Sequence, residues 1–268
     1  MGVYFDFLDH LPNNENVETR KKHDELTFYL HHELDDGQIN GVYGVNCSER
    51  RIDELIQEVE EFYKIRNKRF HWTLHSRNQK LEEKLIENKY NLVSNCYLLG
   101  FEVSEHSLIA FSNKIPQNNV EVRKVDLQSI INDDEVIYIL TRTFGGDAES
   151  TRRLLQNQIE QQINGGIVLP QWVGFLDNKP VGTASLEVLP DYNVVRLNSA
   201  ATLKEFRGQG VYSALTKARL EYCLQDGKDL VIIDADKKTS APILMKYGFK
   251  VLDEIREYAL VKAHDIEY

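Results

Sequence analysis

Apolar positions along the chain recur with two different periods, and the change from one to the other marks the elements. Ile52, Leu55, Ile56, Val59, Phe62 and Tyr63 share one face of a helix whose opposite face is acidic. Phe70, Trp72 and Leu74 then alternate with Arg69, His71 and Thr73, which predicts a half-buried strand. Leu81, Leu85 and Ile86 predict a short helix, and Tyr97, Leu99, Phe101 and Val103 alternate again. With 40–43 opening the series, the first part of the chain reads strand, helix, strand, helix, strand. His31 and His32 are expected at the end of an earlier helix.

Pro116-Gln117-Asn118-Asn119 breaks the pattern, so a linker is expected at 106–119 between a domain at 1–105 and a second at 120–268. In the second, 120–125 alternates as a strand and 128–143 reads as one helix closed by Gly145-Gly146. A further helix at 149–163 carries Leu155, Ile159 and Ile163 and stops at Gly165-Gly166. Runs at 172–176 and 181–189 flank Asp177-Asn178-Lys179-Pro180, a hairpin signal. The segment 193–203 is rich in β-branched residues and reads as extended. Val211, Leu215, Ala218 and Tyr222 then line a helix face starting near Gly210. Leu230-Val231-Ile232-Ile233 is continuously apolar, as in a strand covered on both faces, and a last helix capped by Thr239 or Ser240 ends at Gly248.

Composition narrows the partners more than the fold. The 268 residues are 42% hydrophobic and 28% charged, ordinary for a globular protein. A formal net charge of −10 argues against nucleic acid and favours cationic small molecules or peptides. No apolar run is long enough to span a bilayer and Met1-Gly2-Val3 has no basic flank, so a cytoplasmic protein without a membrane segment is expected. Cys47, Cys96 and Cys223 are too widely spaced for a disulfide framework or a metal knuckle. His71 and His75 fall four apart on a strand, too far along it to share a metal, so no metal site is expected.

Candidate chemistry concentrates at Arg207-Gly208-Gln209-Gly210-Val211-Tyr212. A strand, a Gly-x-Gly turn and a helix N-terminus leave backbone N–H groups aimed into one concavity with the positive end of the helix dipole behind them, a geometry suited to phosphate oxygens. The turn is neither a Walker loop, which needs Lys then Ser or Thr, nor the dinucleotide fingerprint, which needs a glycine where Ser213 stands. Arg207-x-x-Gly210 after a strand, with Tyr247-Gly248-Phe249 following a buried strand and a short helix, resembles the GCN5-related N-acetyltransferase family, whose acetyl-CoA loop reads Gln/Arg-x-x-Gly-x-Gly/Ala. Tyr212 departs from that pattern, standing where the family has a small residue.

The resemblance implies an α/β (α+β) fold with a mixed, mostly antiparallel sheet flanked by helices, in a tandem arrangement whose first half is degenerate and lacks such a loop. It implies acetyl-CoA as cosubstrate, held by Ala200, Ala201 and Thr202 at a strand edge and by Arg207, Gly208, Gln209, Gly210, Val211, Tyr212 and Ser213. The two helices after the first strand of the second half would form a lid over the acceptor, a small-molecule or peptide amine. A carboxylate near the cleft would take the proton an ammonium must lose before attacking the thioester, and Glu187, on a strand beside Arg196 and Asn198, is the candidate base. The competing reading of Glu187 is a strand-surface pair with Arg196. Leu244 stands where the family often has a tyrosine that protonates the leaving thiolate; Tyr247, Tyr212 or water are the alternatives. Two functional classes stay open: an N-acetyltransferase, and a non-catalytic acyl-CoA-binding module.

Overall fold

The computed structural model describes residues 3–11, 17–32, 40–116, 119–163 and 166–260. Gln117, Asn118 and Gly165, singled out above as breakers, lie outside the described residues, as do Met1, Gly2 and 261–268. In chain order the elements are α1 (Val3–His10), β1 (Val17–Lys22), β2 (Thr27–His31), β3 (Gly41–Tyr43), α2 (Ile52–Lys64), β4 (His71–His75), α3 (Gln79–Glu87), β5 (Asn91–Glu102) and α4 (Glu105–Ser112). There follow β6 (Glu121–Val125), α5 (Leu127–Ile131), α6 (Asp134–Phe144), α7 (Ala148–Ile163), β7 (Gln171–Leu176), β8 (Lys179–Val188) and β9 (Val194–Thr202). The series closes with α8 (Val211–Gln225), β10 (Leu230–Asp236), α9 (Ser240–Lys246) and β11 (Lys250–Ala259).

Contacts divide the chain into two compact units, one of Met1–Leu99, Asp234–Pro242 and Val251–Tyr268, the other of Gly100–Ile233 and Ile243–Lys250. The division is therefore not a single cut at 106–119. The stretch expected as linker holds α4, started by a capping box in which the Ser104 hydroxyl accepts from the Ser107 amide. The end of the chain, expected with the second domain, runs as β11 antiparallel to β4, with pairs from Ile255↔His75 to Ala259↔His71. That pairing joins segments far apart in sequence and leaves no local signal.

In the first unit the strand order is β1-β2-β3-β4-β11-β5. β3 and β4 run parallel, Val42 opposite Trp72, and helix α2 connects them. The apolar face of α2 packs Leu55, Ile56, Val59 and Tyr63 against Trp72 and Leu74. β4 is buried on both faces rather than half-buried, because Thr73 and His75 on its other side are also covered and the Phe5 ring of α1 lies 3.9 Å from the His75 ring. His31 belongs to β2, paired with β1, and not to a helix end. His75 Nδ1 is 2.9 Å from Asp253 Oδ2, while among the described residues no group of three or more His, Cys, Asp or Glu could hold a metal ion.

In the second unit the order is β10-β9-β8-β7-β6, antiparallel except for the β9–β10 pair. The single helix expected at 128–143 is two, α5 and α6. Asp133 breaks it: its carboxylate accepts from the Glu135 and Val136 amides and starts α6 anew. The buried face of α8 is also rotated from the expected one. Val211, Leu215, Arg219 and Cys223 are buried, whereas Tyr222 is partly exposed with its ring edge-on to Trp172. The close approach of α8 to the sheet requires glycine at 182, where a Cβ would stand 2.7 Å from Val211 Cγ1 and 2.8 Å from the Ala201 carbonyl oxygen. Among the described residues no helix is long and apolar enough to cross a membrane.

Candidate active site

β9 carries two irregularities that set it apart from its neighbours. Its parallel ladder with β10 runs Val194↔Leu230, Val195↔Val231 and Arg196↔Ile232 and stops there, although β9 continues to Thr202. On its other side the register with β8 shifts by one residue, from Ser185↔Asn198 to Thr183↔Ala201. Ser199 takes up the extra residue with φ +45°, a left-handed conformation that is costly for a serine and marks a β-bulge. The bulge bends β9 just where it parts from β10, and its edge from Leu197 to Thr202 runs beyond the ladder.

After β9 the chain makes a short 3₁₀ turn at Lys204–Phe206 and enters α8 through Arg207-Gly208-Gln209-Gly210. Gly208 and Gly210 have φ +79° and +84°, which glycine alone adopts freely. Gly210 is the N-cap of α8 and brings no side chain to it, and the first turn holds no acidic residue. The first bond within the helix runs from the Ala214 amide to the Gly210 carbonyl at 2.9 Å, so the amides of Val211, Tyr212 and Ser213 precede the ladder at the positive end of the dipole. Arg207 Nε donates back to the Thr202 carbonyl (3.3 Å), which holds the turn against the end of β9.

The other expected residues divide between this mouth and the interior. Val211 is buried against the sheet, and Ala201 packs with Leu203 and Ile139 of α6. Ser213 donates to the Tyr247 hydroxyl at 3.2 Å, so Tyr247 is tied to the first turn of α8, its ring edge-on to Phe111. Leu244 is fully buried. Thr202 Oγ1 and the Tyr212 hydroxyl are both buried without a hydrogen-bond partner. Burial raises the Tyr212 phenol above its ordinary range, against the pull of the nearby Arg219 charge. Buried polar atoms are rarely left unpaired, so these two stand out among the side chains that follow β9.

Glu187 lies on the face of β8 that carries Thr183 and Ser185, the face that α6 covers through Ala201. Both its oxygens are engaged: Arg196 Nη1 donates to Oε2 at 3.0 Å and Asn198 Nδ2 to Oε1 at 2.8 Å. The pair is not a strand-surface one, since the Glu187 and Arg196 side chains are only 14% and 17% exposed. Sequence reasoning missed Arg219, which is fully buried on α8 and donates to the carbonyls of Ser185 (3.2 Å), Asn198 (3.5 Å) and Leu215 (3.3 Å). The signal was present in the i, i+4, i+8 series Val211, Leu215, Arg219, whose third member is a cation.

Residues 134–249 match the family model of the acetyltransferase (GNAT) family. This segment is a GNAT domain. The segment spans α6 to the Gly248-Phe249 pair and contains the bulged strand, the glycine loop and α8. The GNAT fold likeness reaches across both halves of the chain. A GCN5-related N-acetyltransferase from Kribbella flavida is 16% identical with a TM-score of 0.65, over 98% of each chain. A tandem GNAT protein from the clavulanic acid biosynthesis pathway is 13% identical with a TM-score of 0.61, over 89% of this chain and 79% of that one. A functionally unknown conserved protein from Staphylococcus epidermidis is 14% identical with a TM-score of 0.69, over 91% of this chain and 94% of that one. No curated protein matches the sequence significantly.

Proposed function

We propose that the chain is an acetyl-CoA-dependent N-acetyltransferase whose chemistry lies in its second half, acting by direct attack of an amine on the thioester. The observation that carries the reading is the acid-free first turn of α8, entered through two left-handed glycines and following the edge of β9 that outruns its ladder with β10. The amides of 208–213 and Arg207 would hold the pyrophosphate, the edge at Ala200, Ala201 and Thr202 would pair with the amides of the pantetheine arm, and Thr202 Oγ1 and the Tyr212 hydroxyl would gain partners. The first half carries no such loop.

In this reading the acceptor, a small-molecule or peptide amine, gives up a proton to Glu187 directly or through water. The neutral amine then adds to the carbonyl carbon, the adduct collapses with cleavage of the carbon–sulfur bond, CoA leaves as the thiolate, and the second proton of the nitrogen passes to water. A backbone N–H at the bulge would face the oxyanion. With Leu244 apolar and Tyr247 engaged by Ser213, the thiolate takes its proton from Tyr212 or from water. A thiol pKa of about 8.5 makes the second route adequate.

One observation favours the second reading, a non-catalytic acyl-CoA-binding module: Glu187 is already satisfied by Arg196 and Asn198. Thiol release separates the two. A catalyst liberates free CoA from acetyl-CoA with at least one of a panel of amines, amino acids, aminoglycosides and peptides, and Glu187→Gln slows it; binding without release across the panel supports the module.

A further inference from the structure

Arg219 is a cation in the interior with no carboxylate at salt-bridge distance among the described residues. It is 0% exposed, and among the described residues the Tyr212 phenol and the Cys223 thiol are the ionisable groups that act on it. Burial pulls its pKa down to about 10, against the opposing pull of those two groups. A buried charge without a counter-charge is expensive, and the buried face of α8 that holds it is otherwise uncharged, made of Val211, Ser213, Leu215, Thr216, Leu220 and Cys223. Stability therefore gives no reason for an arginine here.

Its hydrogen bonds do. Nη1 forks onto the carbonyls of Ser185 and Asn198, the last directly opposed pair of β8 and β9 before the register shifts, while Nε and Nη2 are anchored on the helix by the Leu215 carbonyl and Thr216 Oγ1. The Asn198 carbonyl belongs to the same peptide as the Ser199 N–H, at the left-handed bulge. The Asn198 side chain continues the network, accepting from the Ser199 N–H at 2.8 Å and donating to Glu187 Oε1 at 2.8 Å. One guanidinium thus ties the cofactor-side helix, the strained peptide and the carboxylate into a single chain of bonds.

We propose that Arg219 is a positioning residue, fixing the Asn198–Ser199 peptide in its bulge and, through Asn198, the orientation of Glu187. This rests on the acetyltransferase reading for its consequence, since the bulge is where the acyl group would meet β9, but not for its geometry. A guanidinium donating to the Asn198 carbonyl also polarises that peptide and strengthens the Ser199 N–H as a donor.

The test compares the full chain with Arg219→Met, which removes the charge at similar length, and Arg219→Lys, which keeps the charge but not the fork. The readouts are the backbone amide resonance of Ser199, the side-chain amide of Asn198, and calorimetric affinities for acetyl-CoA and for CoA. We expect Arg219→Met to unfold cooperatively, to shift both resonances while that of Gly174 on β7 stays, and to move the ratio of acetyl-CoA to CoA affinity by about tenfold against acetyl-CoA, with Arg219→Lys intermediate. Wild-type resonances and ratio in a folded Arg219→Met overturn the proposal. Loss of cooperative unfolding in both variants also overturns it, in favour of a role in stability alone. If the wild type binds neither nucleotide the acetyltransferase reading fails, and the two resonances still decide the positioning claim.

Discussion

Each half of the chain contains a parallel strand–helix–strand unit, β3–α2–β4 in the first and β9–α8–β10 in the second, and the two treat the helix entrance in opposite ways. α2 begins after the 3₁₀ turn Glu49–Arg51 with Asp53 and Glu54 in its first turn, so its own side chains meet the positive end of the dipole. Arg51 just before it is held by Glu25, Glu54 and Glu58. α8 begins with a left-handed glycine and no acid in its first turn; neither helix has a hydrogen bond from its N-cap side chain. β3 is three residues long and closed from within, the Tyr63 hydroxyl of α2 donating to the Gly41 carbonyl, whereas β9 bulges at Ser199 and outruns β10. The same architecture carries acids at the helix entrance in one half and glycines in the other.

That contrast can be broken at several points. The largest effect is expected at Gly182→Val, which drives a branched side chain into Val211 and the Ala201 carbonyl. It should cost about 3 kcal/mol by urea unfolding and displace α8 from the sheet, taking acetyl-CoA binding with it. Tyr63→Phe removes the hydroxyl shared by the Tyr29 and Gly41 carbonyls and should cost about 1–2 kcal/mol while leaving acetyl-CoA affinity unchanged. An equal loss of affinity would show that the first half takes part in the site.

A pH effect should also map to the first half. Burial holds the His75 imidazole below its ordinary pKa despite Asp253, with Arg77 acting in the same direction as burial. The unfolded chain then binds the extra proton more readily, so this contribution is complete above about pH 6.5 and is lost as pH falls through the lower folded value. A single group changes the slope by at most about 1.4 kcal/mol per pH unit. Unfolding followed between pH 5 and 7.5 should show the slope flattened in His75→Gln; an unchanged slope would acquit His75. Smallest is the removal of the α2 acids, Asp53→Asn with Glu54→Gln, expected to cost about 0.3–1 kcal/mol each at low salt.

Much of this was legible in the sequence where the signal is local. The series from 40–43 through 97–103, the 172–189 hairpin, the buried strand at 230–233 and the glycine loop all correspond to observed elements, because periodicity and turn chemistry act over a few residues. The break at Asp133 was also local but was overridden by a continuous apolar stripe. What periodicity could not carry was non-local: β11 beside β4, the burial of β4 on both faces, the bulge at Ser199, and Arg219 among apolar neighbours. Within the site the loop was readable from its glycines, while the satisfied state of Glu187 depended on Asn198 across the ladder.

The most direct measurement is calorimetric titration with acetyl-CoA of the wild type, of Gly210→Asp and of the Asp53→Asn, Glu54→Gln pair. Gly210→Asp sets a carboxylate and a strained φ where phosphate should sit, and binding should weaken at least about a hundredfold, with the α2 variant indistinguishable from wild type. Equal affinity in wild type and Gly210→Asp would contradict the assignment of the open helix entrance as the donor site.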